Sequence, residues 1–201
     1  MTDLIDRLAG VRPGGSVDAL RRHRPATRDN AQASYDALFT DVDETHATRA
    51  ERAAVAQFVA LLHDDEVAAA HYAALTRDAG GDALADAIAD LADEAGTTGQ
   101  AGPYGRYPAD GPLAGESVDG PRLVLDDARR ASLGEQLAAS LEHAHLLVFR
   151  PRESSPAALV ALADAGWSTD GIVTLSQLVS FLAFQLRVAA GLRLLTTEEA
   201  A

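Results

Sequence analysis

The helical spacing of the apolar residues constrains the fold of this chain most. No segment alternates apolar and polar residues for long, as a half-buried strand would, and Ala and Leu are abundant throughout. In residues 48–62 the apolar side chains recur three and four positions apart, on one stripe of a helix: Val55, Phe58, Val59 and Leu62. The sequence therefore predicts an all-α fold.

Capping residues and glycines divide the first part of the chain into helices. Residues 16–39 are predicted to form one or two short helices that carry an apolar anchor: Tyr35, Leu38 and Phe39. Asp64 is a candidate N-cap of a later helix, because a side-chain oxygen there accepts from free backbone N–H groups, and Gly80-Gly81 is predicted to end that helix. Residues 82–95 are predicted to form another Ala-rich helix.

The same signals place three helices in the last part of the chain. We predict one helix over residues 126–149 and a short one from Pro156 to Ala165-Gly166. Ser168 is the predicted cap of the last helix, which covers residues 169–190 or slightly more. Because this helix is apolar nearly all round, it is predicted to lie in a core or at a subunit interface.

A Gly/Pro-rich insert, residues 96–123, separates two helical halves, 16–95 and 124–201. The insert contains Tyr104 and Tyr107, which a simple linker does not need, so we predict an ordered excursion. The halves are similar at an offset of 86 residues, which lays Ala79-Gly80 on Ala165-Gly166. We therefore predict a single domain over residues 1–201, built from two related multi-helix repeats.

The absence of cysteine limits the chemistry of this chain. It excludes disulfides, thiolate metal sites and cysteine nucleophiles. Thirty acidic against 17 basic residues give a net charge of −13, which argues against a protein that coats nucleic acid. The apolar segment 172–195 carries two glutamines and two arginines, which argues against a membrane span. With no signal-peptide pattern visible, we expect a soluble cytoplasmic protein that binds neither nucleic acid nor membrane.

Three segments resemble a known family. They read ERAAVAQFVALLHDDEVAAAHYAAL (51–75), AGWSTDGIVTLSQLVSFLAFQLRVAAGL (165–192) and, within the insert, GPYGRYPADGPL (102–113). They resemble the carboxymuconolactone decarboxylase and alkylhydroperoxidase-D superfamily, in particular a cysteine-free peroxidase-related subgroup. The resemblance implies an alkylhydroperoxidase-D-like helical fold of two repeats that assembles into homo-oligomers: dimers, trimers or hexamers.

The family's redox motif is lost here. Peroxidase members carry Cys-x-x-Cys-x-x-x-His at a helix N-terminus, with a Glu twelve residues before the first Cys. With the motif histidine placed on His71, the cysteine positions fall on Asp64 and Val67. The Glu position falls on Arg52, with Glu51 one residue away. This chain therefore cannot catalyse the thiol peroxidase reaction by itself. Decarboxylase members carry a Glu at the second cysteine position, and that Glu is also missing here, because the position is Val67.

His71 is the main candidate catalytic residue, and Glu51 and Glu66 are candidate partners. His71 would act as a general base or orient a small-molecule ligand, or else it is a core histidine satisfied by a carbonyl or carboxylate. The resemblance places a possible pocket around it, with the insert tyrosines as a lid; its other candidate residues are Arg52, His63, Tyr72, Tyr104 and Tyr107.

Two further clusters contain histidine. His63 and His71 could hold a metal with Asp64 or Glu66, but consecutive acids at a helix start are explained by capping, so we assign no metal site. Glu142 and His145 are three residues apart on one helix face, and His145 is a candidate buried, hydrogen-bonded histidine.

Three functions remain open from the sequence. The first is a hydroperoxidase-related oxidoreductase that works without thiols of its own; it would need a cofactor or an acid–base mechanism centred on His71, and we assign no cofactor. The second is a non-catalytic or regulatory subunit that pairs with a cysteine-bearing paralogue. The third is a decarboxylase or isomerase that acts on a small lactone or enol through His71.

Overall fold

The computed structural model describes residues 3–96 and 104–198, and these residues form ten α-helices. Within them the only strand-like pairing is one antiparallel bridge between Gly105 and Val118. The predicted all-α fold is confirmed. The helices are α1 Leu4–Ala9, α2 Ser16–Arg22, α3 Pro25–Phe39, α4 Arg49–Leu62, α5 Glu66–Gly80, α6 Asp82–Ala95, α7 Asp127–Leu133, α8 Glu135–Phe149, α9 Pro156–Asp164 and α10 Thr169–Glu198.

Most predicted helix boundaries agree with the structure, and two were wrong. The cap of α5 is Asp65, whose side chain accepts from the Ala68 N–H at 3.1 Å, whereas Asp64 occupies the preceding turn at φ 56°. The helix predicted over residues 126–149 breaks at Gly134, which has φ 82° and separates α7 from α8. Glycine tolerates this left-handed backbone because it has no Cβ.

The core is built around α4, which packs against α5, α6, α8 and α10. The predicted stripe is buried, and the alanines of α4 are buried as well, so the helix has almost no free face. Alanine allows neighbouring helices to approach closely, and Phe58 and Leu62 fill the space that remains. Helix α8, which packs against α4, buries 9 of its 15 residues.

The long helix α10 has one buried and one exposed side. Its buried side carries leucines at helical spacing: Leu175, Leu178, Leu182 and Leu186. Its exposed side carries Val173, Phe184 and Leu195. Within the described part of the chain, Thr169–Thr197 is the one helix long and apolar enough to cross a membrane, a test that core helices of soluble proteins also pass. In the structure α10 packs on α1, α4, α8 and α9.

Helices α1 to α3 are joined by a buried ionic cluster, which consists of Asp3, Asp6, Asp18, Arg21 and Arg28. Arg21 bonds Asp3 and Asp6 at 2.7 and 2.9 Å, and Arg28 bonds the same two carboxylates at 2.8 and 2.6 Å. These side chains are almost fully buried. The cluster ties α3 to α1, which in turn packs against α10.

The described part of the insert is ordered, as predicted. Tyr104 packs on Phe149 with ring centroids 6.4 Å apart, and the Arg150 guanidinium donates from Nε to the Pro121 carbonyl at 2.8 Å. These contacts fix the insert against the C-terminal end of α8. Residues 97–103, which include the first two positions of the GPYGRYPADGPL segment, lie outside the described residues.

Candidate functional site

The candidate site is an aromatic cluster around His71, in the second turn of α5. The His71 Nε2 atom lies 3.0 Å from the Tyr35 hydroxyl. Tyr35 and Phe39 are four residues apart on α3, so they share one face of that helix and stack at 5.1 Å. Phe39 also contacts Tyr72, whose ring lies 5.0 Å from that of His71. The last turns of α3 therefore cover His71 and Tyr72.

On the core side of the cluster, Tyr72 and Gln185 form a buried polar pair. The Tyr72 hydroxyl donates to the Gln185 Oε1 atom of α10. Both side chains are fully buried, and the Gln185 Nε2 group has no hydrogen-bond partner among the described residues. Burial raises the pKa of Tyr72 well above its usual value, so this hydroxyl stays protonated. The pair links α5 to α10 across the core.

The His71–Tyr35 pair is electrically neutral. Burial lowers the pKa of His71, and the nearby Arg7 lowers it further. Burial also raises the pKa of Tyr35. A neutral imidazole beside a phenol can accept or relay a proton. However, no carboxylate of the described residues is hydrogen-bonded to His71, so the imidazole has no acidic partner there.

The two predicted acidic partners lie elsewhere. Glu51 forms a capping box with Thr48 at the start of α4: its Oε2 accepts from the Thr48 N–H and hydroxyl, both at 2.8 Å. Glu66 is exposed in the first turn of α5. It stands five residues before His71, which places the two side chains on different faces of the helix. Neither Glu51 nor Glu66 is therefore hydrogen-bonded to His71.

The two positions that the resemblance aligns with cysteines, Asp64 and Val67, lie at the start of α5. Val67 is 50% exposed, and Asp64 is exposed in the turn before the helix. Beside Asp64 lies a cleft of about 360 Å³, which His63 lines together with residues of α10. The His63 Nδ1–H is placed to donate to the Val59 carbonyl at 2.9 Å, and burial lowers the His63 pKa. In the described residues no three His, Cys, Asp or Glu side chains are grouped to hold a metal.

The remaining residues of the predicted pocket, Arg52, Tyr104 and Tyr107, are not part of the cluster around His71. Arg52 is buried at the base of a cleft between α3 and α10. Tyr104 packs on Phe149, as described above, and Tyr107 lies 4.3 Å beneath the Arg152 guanidinium. The two insert tyrosines thus lie near the end of α8 and have no ring contact with His71. Of the predicted set, the structure joins His71 to Tyr72.

The second histidine cluster is structural. Glu142, predicted to be able to touch His145, instead accepts from the Leu125 N–H at 2.7 Å and pairs with Arg130 at 2.6 Å. His145 is buried, as predicted; its Nε2 lies 3.4 Å from the Ala95 carbonyl and its ring packs on Phe149 at 4.6 Å. Burial lowers its pKa to about 4. His145 is therefore a neutral core residue at pH 7.

Sequence reasoning missed Tyr35, Phe39 and Gln185 as members of the site. Tyr35 and Phe39 were predicted as an apolar anchor, and the glutamine inside an apolar helix is a signal that could have marked Gln185. The cluster is suited to relay a proton between Tyr35 and His71, and it carries no thiol. No family model matches the chain. No curated protein matches it either.

Proposed function

We propose that this chain is a cysteine-free, peroxidase-related member of the carboxymuconolactone decarboxylase and alkylhydroperoxidase-D superfamily that acts as a non-catalytic subunit in the cytoplasm. It forms homo-oligomers or pairs with a cysteine-bearing paralogue, and it contributes an interface rather than thiol chemistry. The missing sulfur at Asp64 and Val67 removes the peroxidase reaction from the chain itself.

The helix boundaries support the two-repeat fold. A shift of 86 residues places α4 on residues 135–148, within α8, and places α6 on residues 168–181, at the start of α10. The same shift places Gly80, the last residue of α5, on Gly166, which lies just after α9. Helices α4, α5 and α6 pack on one another, and so do α8, α9 and α10.

The observation that carries the subunit proposal is the exposed apolar side of α10. Val173, Phe184 and Leu195 are spaced eleven residues apart, which is close to three helical turns, so they lie on one face. Phe184 is 43% exposed and its ring lies 6.5 Å from that of Phe181. A contiguous exposed apolar patch on a surface often marks a protein–protein contact site. We call this row the α10 face.

Light scattering coupled to size-exclusion chromatography tests the α10 face. Phe184→Asp is expected to reduce the oligomer mass while helicity by circular dichroism is retained, because the residue is exposed within one chain and its burial occurs on assembly. Val124→Asp is the matched control, since Val124 is 82% exposed outside the helices. An unchanged mass for Phe184→Asp would remove the α10 face as the interface.

Hydroperoxide reduction tests the absence of autonomous chemistry. The purified chain is expected to give no turnover of an organic hydroperoxide, with or without a dithiol donor. Addition of a cysteine-bearing paralogue from the same genome is expected to give turnover and co-elution with the chain, and Phe184→Asp is expected to weaken that co-elution. Turnover by the chain alone that falls in His71→Ala would instead assign thiol-free catalysis to this site.

The Tyr35–His71 contact favours a second candidate function, acid–base catalysis on a small lactone or enol. In an isomerisation the neutral imidazole would take a proton from one substrate carbon and return it to another. In a decarboxylation the bond between carbon and carboxylate breaks, CO₂ leaves, and the electron pair left on carbon takes up a proton that the imidazole N–H or the Tyr35 hydroxyl delivers and water replaces. Release of CO₂ from a carboxylated lactone is the measurement. Loss of activity in His71→Ala with a partial loss in Tyr35→Phe supports this candidate, and no release from the unaltered chain refutes it.

A further inference from the structure

The cleft between α3 and α10 has a volume of about 600 Å³. Its apolar wall is formed by Leu38 of α3 and Phe181 of α10, and Arg52 of α4 also lines it. Asp41 and Asp43 line it from the connection between α3 and α4. The volume lies within the range of small-molecule sites, which combine apolar walls with a few polar groups.

Arg52 is a buried guanidinium without a carboxylate partner among the described residues. Only 7% of the residue is exposed. Its Nε donates to the Ala47 carbonyl at 3.0 Å and its Nη2 to the Asp43 carbonyl at 2.8 Å. Within the described part of the chain, Nη1 donates to no atom. The strongest effect on the Arg52 pKa is burial, which lowers it.

The acids nearest to Arg52 are bound to other groups. The Asp43 carboxylate accepts from the Thr45 N–H at 2.8 Å and from the Thr45 hydroxyl. Glu44 pairs with Arg49 at 3.2 Å, and Glu51 is held in its capping box. A buried cation that is left without a directly bonded anion is costly, and an anion that reached it would gain a charge-assisted, bidentate contact.

We propose that this cleft binds a small monocarboxylate with an apolar body. The carboxylate bonds the free Nη1 side of Arg52, and the apolar body packs between Leu38 and Phe181. The exposed amide of Gln177, which also lines the cleft, is available for a further polar contact. Asp41 and Asp43 repel a second negative charge, so a dicarboxylate or a phosphate ester is disfavoured. This site does not depend on thiol chemistry, and it adjoins the α10 face, because Phe181 lines the cleft and its ring lies 6.5 Å from that of Phe184.

Calorimetric titration with benzoate, benzamide and isophthalate tests the proposal on the full chain. Benzoate is expected to bind at least about tenfold more tightly than its neutral isostere benzamide, because only the carboxylate pairs with Arg52. Isophthalate is expected to bind more weakly than benzoate. Equal affinity for benzoate and benzamide, or no heat from benzoate at millimolar concentration, overturns the proposal.

Three variants assign the contacts. Arg52→Gln is expected to lose at least about tenfold in benzoate affinity, whereas Arg12→Gln, which removes an exposed arginine, leaves it unchanged. If Arg52→Gln does not fold, Asp41→Asn decides the question. It is expected to strengthen benzoate binding and to reduce the discrimination against isophthalate, because it removes a negative charge from the exposed rim. Unchanged affinities in Asp41→Asn would contradict the proposed orientation.

Discussion

The helix pairs α4–α5 and α8–α9 differ in the side chains that their second helix buries. Each pair is a buried helix followed by a more exposed one. In the first pair, α5 has 15 residues and buries Tyr72 and Thr76, and Phe39 of α3 covers Tyr72. In the second pair, α9 has 9 residues, buries Leu162 and leaves Leu159 and Val160 exposed. A polar–aromatic centre therefore forms where a third element covers the pair.

The imidazoles of His71, which is half-buried, and His145, which is buried, differ in the same way. His71 of α5 shares a hydrogen bond with a titratable side chain, the Tyr35 hydroxyl. His145 of α8 has a backbone carbonyl on one nitrogen and no partner for Nδ1 among the described residues. A hydroxyl can exchange a proton with an imidazole, whereas a carbonyl can only accept a hydrogen bond. The first pair therefore contains an imidazole that can exchange a proton with a neighbouring side chain, whereas His145 in the second pair is a buried core residue.

The largest effect is expected from truncation on the covered side of α5. Tyr72→Ala should lower the free energy of unfolding by about 3 to 5 kcal/mol, because it leaves a cavity and strands Gln185. Leu159→Ala on α9 should cost less than about 1 kcal/mol, because that side chain is 40% exposed. Urea unfolding measures both values, and similar losses would mean that the two pairs are equally covered.

The pH dependence of stability distinguishes the two imidazoles next. The folded-state pKa of His145 is about 4 and its ordinary value is 6.5, so between these values the unfolded chain binds a proton that the folded chain does not. Stability is therefore full above pH 6.5 and falls as the pH decreases towards 4. This group's contribution to that loss is about 2 to 3 kcal/mol.

Urea unfolding of a His145→Leu variant across this pH interval isolates the contribution. The variant is expected to show a shallower loss of stability than the unaltered chain, while His23→Leu, at an exposed position, should leave the slope as it was. An identical slope in His145→Leu would show that the acid sensitivity comes from other histidines whose pKa burial lowers, such as the half-buried His63 and His71.

A smaller effect is expected from removal of a single hydroxyl. Tyr72→Phe should cost about 1 to 2 kcal/mol, since it leaves the Gln185 amide without its buried partner. Tyr104→Phe is the matched change, because the Tyr104 hydroxyl has no hydrogen-bond partner among the described residues, and it should be close to neutral. Thermal unfolding compares them. A neutral Tyr72→Phe would indicate that water satisfies Gln185.

The smallest effect concerns the turn that joins α4 to α5. Asp64 has φ 56°, a backbone region in which residues other than glycine are strained. Asp64→Gly should stabilise the fold by about 0.5 kcal/mol, since relief of the strain exceeds the added entropy of the unfolded chain. The corresponding change after α9, Ala165→Gly, should destabilise slightly, because Ala165 has φ −78°. Opposite signs in thermal unfolding are the expected result.

Local signals were sufficient to predict most of the fold. Helical periodicity predicted where the helices lie, Ser168 predicted where α10 begins, and Gly80-Gly81 predicted where α5 ends. These signals were readable because each acts within a few residues. The choice between Asp64 and Asp65 as the cap could not be made locally. Asp65 also pairs with Arg193, whose Nη1 lies 3.1 Å from Oδ1, and that partner is 128 residues away in sequence. The break at Gly134 was missed because both flanks are equally helical.

The site was less predictable because its members come from distant elements. The position of His71 in the second turn of α5 follows from the sequence, but its contact with Tyr35 depends on how α3 crosses α5. The lack of a carboxylate partner for Arg52 among the described residues could not be predicted from the sequence either. It depends on Asp43 and Glu51 being bound to Thr45 and Thr48, which a count of nearby acids does not reveal.

The ionic cluster that joins α1 to α3 has a consequence for proteolysis and truncation. Arg21 belongs to the basic run Arg21-Arg22-His23-Arg24, yet its side chain is almost fully buried against Asp3 and Asp6. Removal of α1 would leave Arg21 and Arg28 without these anions, and α3, which carries Tyr35 over His71, would lose its anchor. A shortened chain that lacks the first six residues would therefore expose a histidine that is distant in sequence from the cut.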